Sequence, residues 1–107
     1  MARGRPRKDQ TSSSLMASTK APSFSLGYQQ ITDLTCAVSL VVPDNAEKIL
    51  IQAEGAAVRW RDDGEEPLSS VGMRIPAGAE LRYDGDPKAL KFIQEGSGAK
   101  LNITYYG

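Results

Sequence analysis

Thirteen side-chain carboxylates are the chain's largest stock of reactive groups, and two runs are tight enough to act together. These are Asp62-Asp63-Gly64-Glu65-Glu66 and Asp84-Gly85-Asp86. Such oxygens suit Ca²⁺, yet neither run has the ligand spacing of a dedicated calcium loop. A glycosidase pair would need the same groups to flank a cleft, and nothing in the sequence announces one. Asp-Gly is also ordinary hairpin-turn chemistry, and that is the reading adopted. There is no histidine, so the commonest general base and the commonest metal ligand are missing together. The single cysteine, Cys36, shares a face with Val38 and Leu40 and has no imidazole to activate it. It is expected to be a buried structural thiol. No catalytic residue, metal, cofactor or small-molecule substrate is expected.

The sharpest local motif is Arg3-Gly4-Arg5-Pro6-Arg7-Lys8. Its Arg-Gly-Arg-Pro core resembles the AT-hook, whose extended segment lies in the narrow minor groove of A·T-rich DNA. Arg3, Gly4, Arg5, Pro6 and Arg7 are the DNA-binding candidates. The alternatives are non-specific contact with nucleic acid or an acidic protein surface, or a solubilising tail. Trp60, between Arg59 and Arg61, could be a stacking platform for bases. Its phase with Val58 fits a core anchor better, with Arg59 and Arg61 facing outward as partner-binding candidates. Tyr105 and Tyr106 suit an intersubunit contact, or a closing strand with one ring in and one out. Tyr106 is the partner-binding candidate of the two.

The elements that must position these groups fall into two unlike parts. Residues 1–20 carry Arg3, Arg5, Arg7, Lys8 and Lys20 against Asp9 alone, although the chain as a whole has no net charge. A basic arm on an acidic body implies an anionic neighbour. Within residues 1–23 only Leu15 and Met16, besides the initial Met1, are large and apolar, so this composition cannot offset the entropy of ordering. Leu15 and Met16 could serve as a peg on a neighbour, and Phe24, Leu26 and Tyr28 then alternate as the chain becomes extended.

From there the period is two. Cys36, Val38, Leu40 and Val42 share one face over residues 34–42. Ile49, Ile51 and Ala53 share one over 48–54, then Val58 and Trp60, and Val71, Met73 and Ile75. Leu81 and Tyr83, Leu90 and Phe92, and Leu101, Ile103 and Tyr105 complete the series. Gly, Pro, Asp or Asn turns separate the segments, and residues 87–90 suit a single helical turn. Seven or eight short strands so spaced predict an all-β fold. The expectation is a small antiparallel, jelly-roll-like β-sandwich over residues 29–107, with an extended N-terminal arm over 1–28. So small a body draws modest stability from its own core and suits assembly with a partner or with copies of itself. No apolar run is long enough to span a bilayer, so no membrane association is expected.

The package Val58-Arg59-Trp60-Arg61-Asp62-Asp63-Gly64 with Pro67, then Gly72-Met73, Pro76-Ala77-Gly78, Tyr83 with Gly85-Asp86, Leu90 with Phe92-Ile93, and the closing Leu101-Asn102-Ile103-Thr104-Tyr105-Tyr106 resembles small virion structural proteins of tailed bacteriophages. The resemblance covers about residues 30–107 and implies a non-enzymatic capsid decoration (cement) protein, made in the host cytoplasm and built into the virion. The implied partners are the major capsid protein and copies of itself. Arg3, Arg5, Arg7, Lys8, Leu15, Met16 and Phe24 of the arm are the residues expected to bridge neighbours. A head–tail collar or tail-fibre adaptor, and a DNA-binding protein acting through the arm, are the alternatives.

Overall fold

The computed structural model describes residues 24–107. They form eight strands: β1 (Ser25–Ile31), β2 (Val38–Ser39), β3 (Lys48–Glu54), β4 (Val58–Arg61), β5 (Met73–Ile75), β6 (Glu80–Tyr83), β7 (Lys91–Gln94) and β8 (Lys100–Tyr106). One 3₁₀ turn, Pro87–Ala89, precedes β7. Asp86 caps it by accepting from the Lys88 amide, and Pro87 brings a φ already suited to a first turn.

The strands make two antiparallel four-stranded sheets, β1-β8-β3-β6 (sheet A) and β2-β7-β4-β5 (sheet B). The pairing is nested: β1 with β8, β2 with β7, β3 with β6, and β4 with β5. Contacts of β8 with β3 and of β7 with β4 then join the pairs within each sheet. Every turn except that between β4 and β5 carries the chain from one sheet to the other.

Alternation explains why the sheets share one core. β3 and β8 bury every second residue, and their register sets Ile49 opposite Tyr105, Ile51 opposite Ile103 and Ala53 opposite Leu101. Val58, Ile75 and Phe92 from sheet B enter the same cluster, with Leu34, Leu40 and Leu90 from the connections. Among the described residues no charged side chain is buried and the core is built from apolar side chains, with the Tyr105 ring among them. Gly55 permits the crossing from β3 to β4. Its φ is +83°, and a Cβ there would run into the Gly98 carbonyl of the turn before β8.

Four expectations need correction. Residues 34–42 do not form one strand; only Val38 and Ser39 pair, with Phe92 and Lys91. Asp33 draws the Thr35 amide (3.2 Å) and hydroxyl (2.7 Å) onto its own carboxylate, bending the chain and breaking the two-residue phase before β2. Cys36 sits in that bend and is exposed, not buried. Val71 and Met73 are exposed as well, because β5 is a short edge strand and only Ile75 reaches the core. The strand register also reaches into residues 25–28, which the sequence reading gave to the arm: β1 starts at Ser25.

Candidate interaction surfaces

Arg3, Gly4, Arg5, Pro6, Arg7, Lys8, Leu15 and Met16 lie outside the described residues. The place where the chain enters the body is defined. Phe24 and Gly107 exchange both backbone hydrogen bonds at 3.0 Å, fixing the entry at the free edge of sheet A beside the end of β8. Between Ser25 and Gly27 the register slips by one residue, a bulge that blunts this edge. Phe24, Leu26 and Tyr28 are exposed along it. Leu26, Tyr28, Val41 and Pro43 line a shallow hollow of about 380 Å³ there. A second exposed apolar group, Leu68, Val71 and Met73, lies at the β5 edge of sheet B. Patches of this kind mark contact surfaces.

Arg59 and Arg61 are where alternation places them, on β4, but each already has an acidic partner. Arg59 Nε donates to Glu95 Oε2 (2.9 Å) and its terminal nitrogen to the Gly72 carbonyl (3.1 Å). Arg74 grips the same Glu95 through Nε and Nη2, so one carboxylate bridges two arginines on adjacent strands. The Arg74 bonds are the main cause that holds the Glu95 carboxyl below its ordinary range, and the Arg59 bond adds to it. Arg61 closes a two-bond fork on Asp63, whose carboxyl is lowered by that contact first. These pairs neutralise the guanidinium charge that a nucleic-acid face on sheet B would need.

The two acidic runs do structural work. Asp62 accepts from the Tyr83 hydroxyl at 2.6 Å, Asp63 pairs with Arg61, and Asp86 caps the 3₁₀ turn. Among the described residues no three Asp, Glu, Cys or His side chains converge as metal ligands. Trp60 packs partly buried against the core and meets Tyr83 edge-on, with ring centroids 5.7 Å apart at 76°. Tyr105 is buried, its hydroxyl donating to Gln29 Oε1 at 2.7 Å. Tyr106 falls on the opposite, outer face of sheet A, in register with Lys48.

That outer face holds a group the sequence reading did not assemble. Asn102 Oδ1 accepts from the Tyr28 hydroxyl (2.6 Å) and Gln30 Nε2 (2.9 Å). Asn102 Nδ2 donates to Gln52 Oε1 (3.3 Å) and Glu54 Oε1 (3.0 Å). The ladder joins β1, β8 and β3, and its sequence signal was faint: polar residues alternating with apolar ones in strands whose register was unknown. No family model matches the sequence, and neither a curated protein nor a solved structure matches it.

Proposed function

We propose that this chain is a non-enzymatic bacteriophage virion protein, a capsid decoration (cement) protein that bridges neighbouring major capsid proteins with its N-terminal arm. The observation that carries the reading is the nested strand order. A long antiparallel ribbon whose first strand pairs with its last, with β8 also meeting β3 and β7 meeting β4, supports a jelly-roll-like sandwich. That architecture is used by viral shell domains, among others, and its two sheets here share one apolar core.

The edge of sheet A supports the bridging role. The arm joins the body beside Phe24, Leu26 and Val41, so an arm laid on a neighbour would lead this apolar strip into the same contact. A small domain gains stability from such a contact, and repetition over a symmetric shell multiplies a weak single attachment. The exposed apolar strip favours a contact surface at this edge.

The test is to reconstitute heads with the full chain and with a chain lacking residues 2–23. Stopping at 23 leaves β1 in place. The expected outcome is lower occupancy and earlier heat-induced genome release with the shortened chain. Equal occupancy and equal heat resistance would remove the bridging role. Rings or trimers of the isolated protein that attach only at the tail vertex would favour a collar adaptor instead.

A further inference from the structure

The outer face of sheet A carries an ordered polar surface. Register sets its rows: Tyr28, Thr104, Leu50 and Arg82 lie side by side across β1, β8, β3 and β6. Gln30, Asn102, Gln52 and Glu80 form the next row. Tyr28 stands in the first row and bonds to Asn102 in the second, so its ring is tethered along the sheet. It is nonetheless 65% exposed. Tyr106 is its diagonal neighbour on β8, about 7–8 Å away between backbone positions. Two shallow depressions meet at Leu50. One, about 170 Å³, lies among Tyr28, Gln52, Glu80 and Asn102. The other, about 410 Å³, lies among Tyr106, Lys48, Arg82 and Tyr83.

We propose that this face binds a neutral sugar chain, with Tyr28 and Tyr106 as its aromatic platforms and the Asn102 ladder as its hydrogen-bonding floor. A pyranose ring presents an apolar face of C–H groups and a rim of hydroxyls. An amphipathic aromatic ring meets the first, and fixed planar amides meet the second. The ladder spends one polar atom of each glutamine on Asn102. Gln30 Oε1 and Gln52 Nε2, an acceptor and a donor flanking Asn102, are not used in it.

Charge and desolvation select the ligand class. The face sets Lys48, Arg82 and Lys100 against Glu54 and Glu80, so it has almost no net charge. A nucleic-acid strand needs a positive track to replace its counterions. A dry apolar protein partner would bury the amide ladder against groups that cannot hydrogen-bond, at a cost for each polar atom left unmet. Hydroxyl groups replace the water on those amides one for one. The site is independent of the bridging role, and either can fail alone.

The test uses the full-length, nitrogen-15-labelled protein, titrated separately with cellohexaose, maltohexaose and hexa-N-acetylchitohexaose and followed by amide NMR. The expected result is saturable shifts with at least one of the three, confined to residues 28–30, 50–52 and 102–106. Tyr28→Ala should weaken that binding at least roughly tenfold. Tyr28→Phe, which keeps the ring and loses the tether, should fall between Tyr28→Ala and the parent. Met73→Ala, at the far sheet's edge, should bind like the parent. Retained spectral dispersion shows that each variant is folded. No saturable shift with any of the three sugars, shifts confined to other residues, or unchanged binding by folded Tyr28→Ala would each overturn the proposal.

Discussion

Tyr83 donates its hydroxyl hydrogen to Asp62 Oδ2 over 2.6 Å, tying the end of β6 in one sheet to the acidic loop that leaves β4 in the other. Burial is the first reason the phenol is pushed up to about 12 from its ordinary 10.0. The Asp62 bond and the charges of Asp62, Asp86 and Asp84 add to it. A folded pKa above the unfolded one contributes stability that is whole below the unfolded value and lost as pH rises toward the folded one. The stability Tyr83 contributes is therefore expected to be lost between pH 10.0 and about 12. Tyr83→Phe should remove the latest phenolate transition in an absorbance titration. Asp62→Asn should draw that transition down only part of the way, since burial remains. A return to the ordinary value would show that the carboxylates alone set the shift.

The two arginines on Glu95 have separable effects. Its lowered carboxyl contributes stability above the ordinary carboxylate value of 4.5, lost as pH falls through the lower folded one. Glu95→Gln should therefore flatten the acid side of a stability–pH curve measured by urea unfolding. Arg74→Ala should remove more of that pH dependence than Arg59→Ala, because the Arg74 contact is the larger cause. Arg59→Ala should cost more at neutral pH, since it also strips the Gly72 carbonyl of its donor. Equal profiles for the two arginine variants would contradict this division.

Two glycines with similar backbone angles test whether conformation or crowding dominates at the turns. Gly55 (φ +83°) faces the Gly98 carbonyl, whereas nothing lies near a Cβ added to Gly64 (φ +90°). Gly64→Ala should cost about 1 kcal/mol, from the left-handed conformation alone. Gly55→Ala adds a clash with backbone and should cost roughly 3 kcal/mol in urea unfolding. Equal losses would mean that the β3–β4 crossing yields easily.

The sequence made the period-two strands legible wherever both ends of a segment carried turn chemistry. β3, β4 and β8 fall where Ile49, Val58 and Leu101 begin their alternations, and β7 takes in Phe92 but not Leu90. It misled over residues 34–42, where a good alternation lost to the local capture of Thr35 by Asp33. Sheet order was beyond it, because pairing β1 with β8 depends on residues seventy or more positions apart. For the same reason Tyr28, which alternates with Phe24 and Leu26, could not be recognised as a partner of Asn102. Arg59 and Arg61 were read as outward-facing; that Glu95 and Asp63 already hold them depends on loop geometry that periodicity does not carry.

The point where the described body begins is the most exacting test of the fold. β1 contributes the row from Ser25 to Ile31, and β8 depends on it for half of its hydrogen-bonding edge. Deleting residues 2–23 leaves that row complete, so the protein should unfold in urea at nearly the parent midpoint. Deleting residues 2–28 removes the exchange between Phe24 and Gly107, the Tyr28–Asn102 bond and the first half of β1. It also strips backbone partners from the end of β8, around the buried Tyr105. A freshly exposed sheet edge invites pairing with another chain. The longer deletion should therefore lower the unfolding midpoint markedly and aggregate on concentration, as seen by light scattering. Should both deletions behave like the full chain, β1 would be an ornament on sheet A, and the body would have to begin after Tyr28.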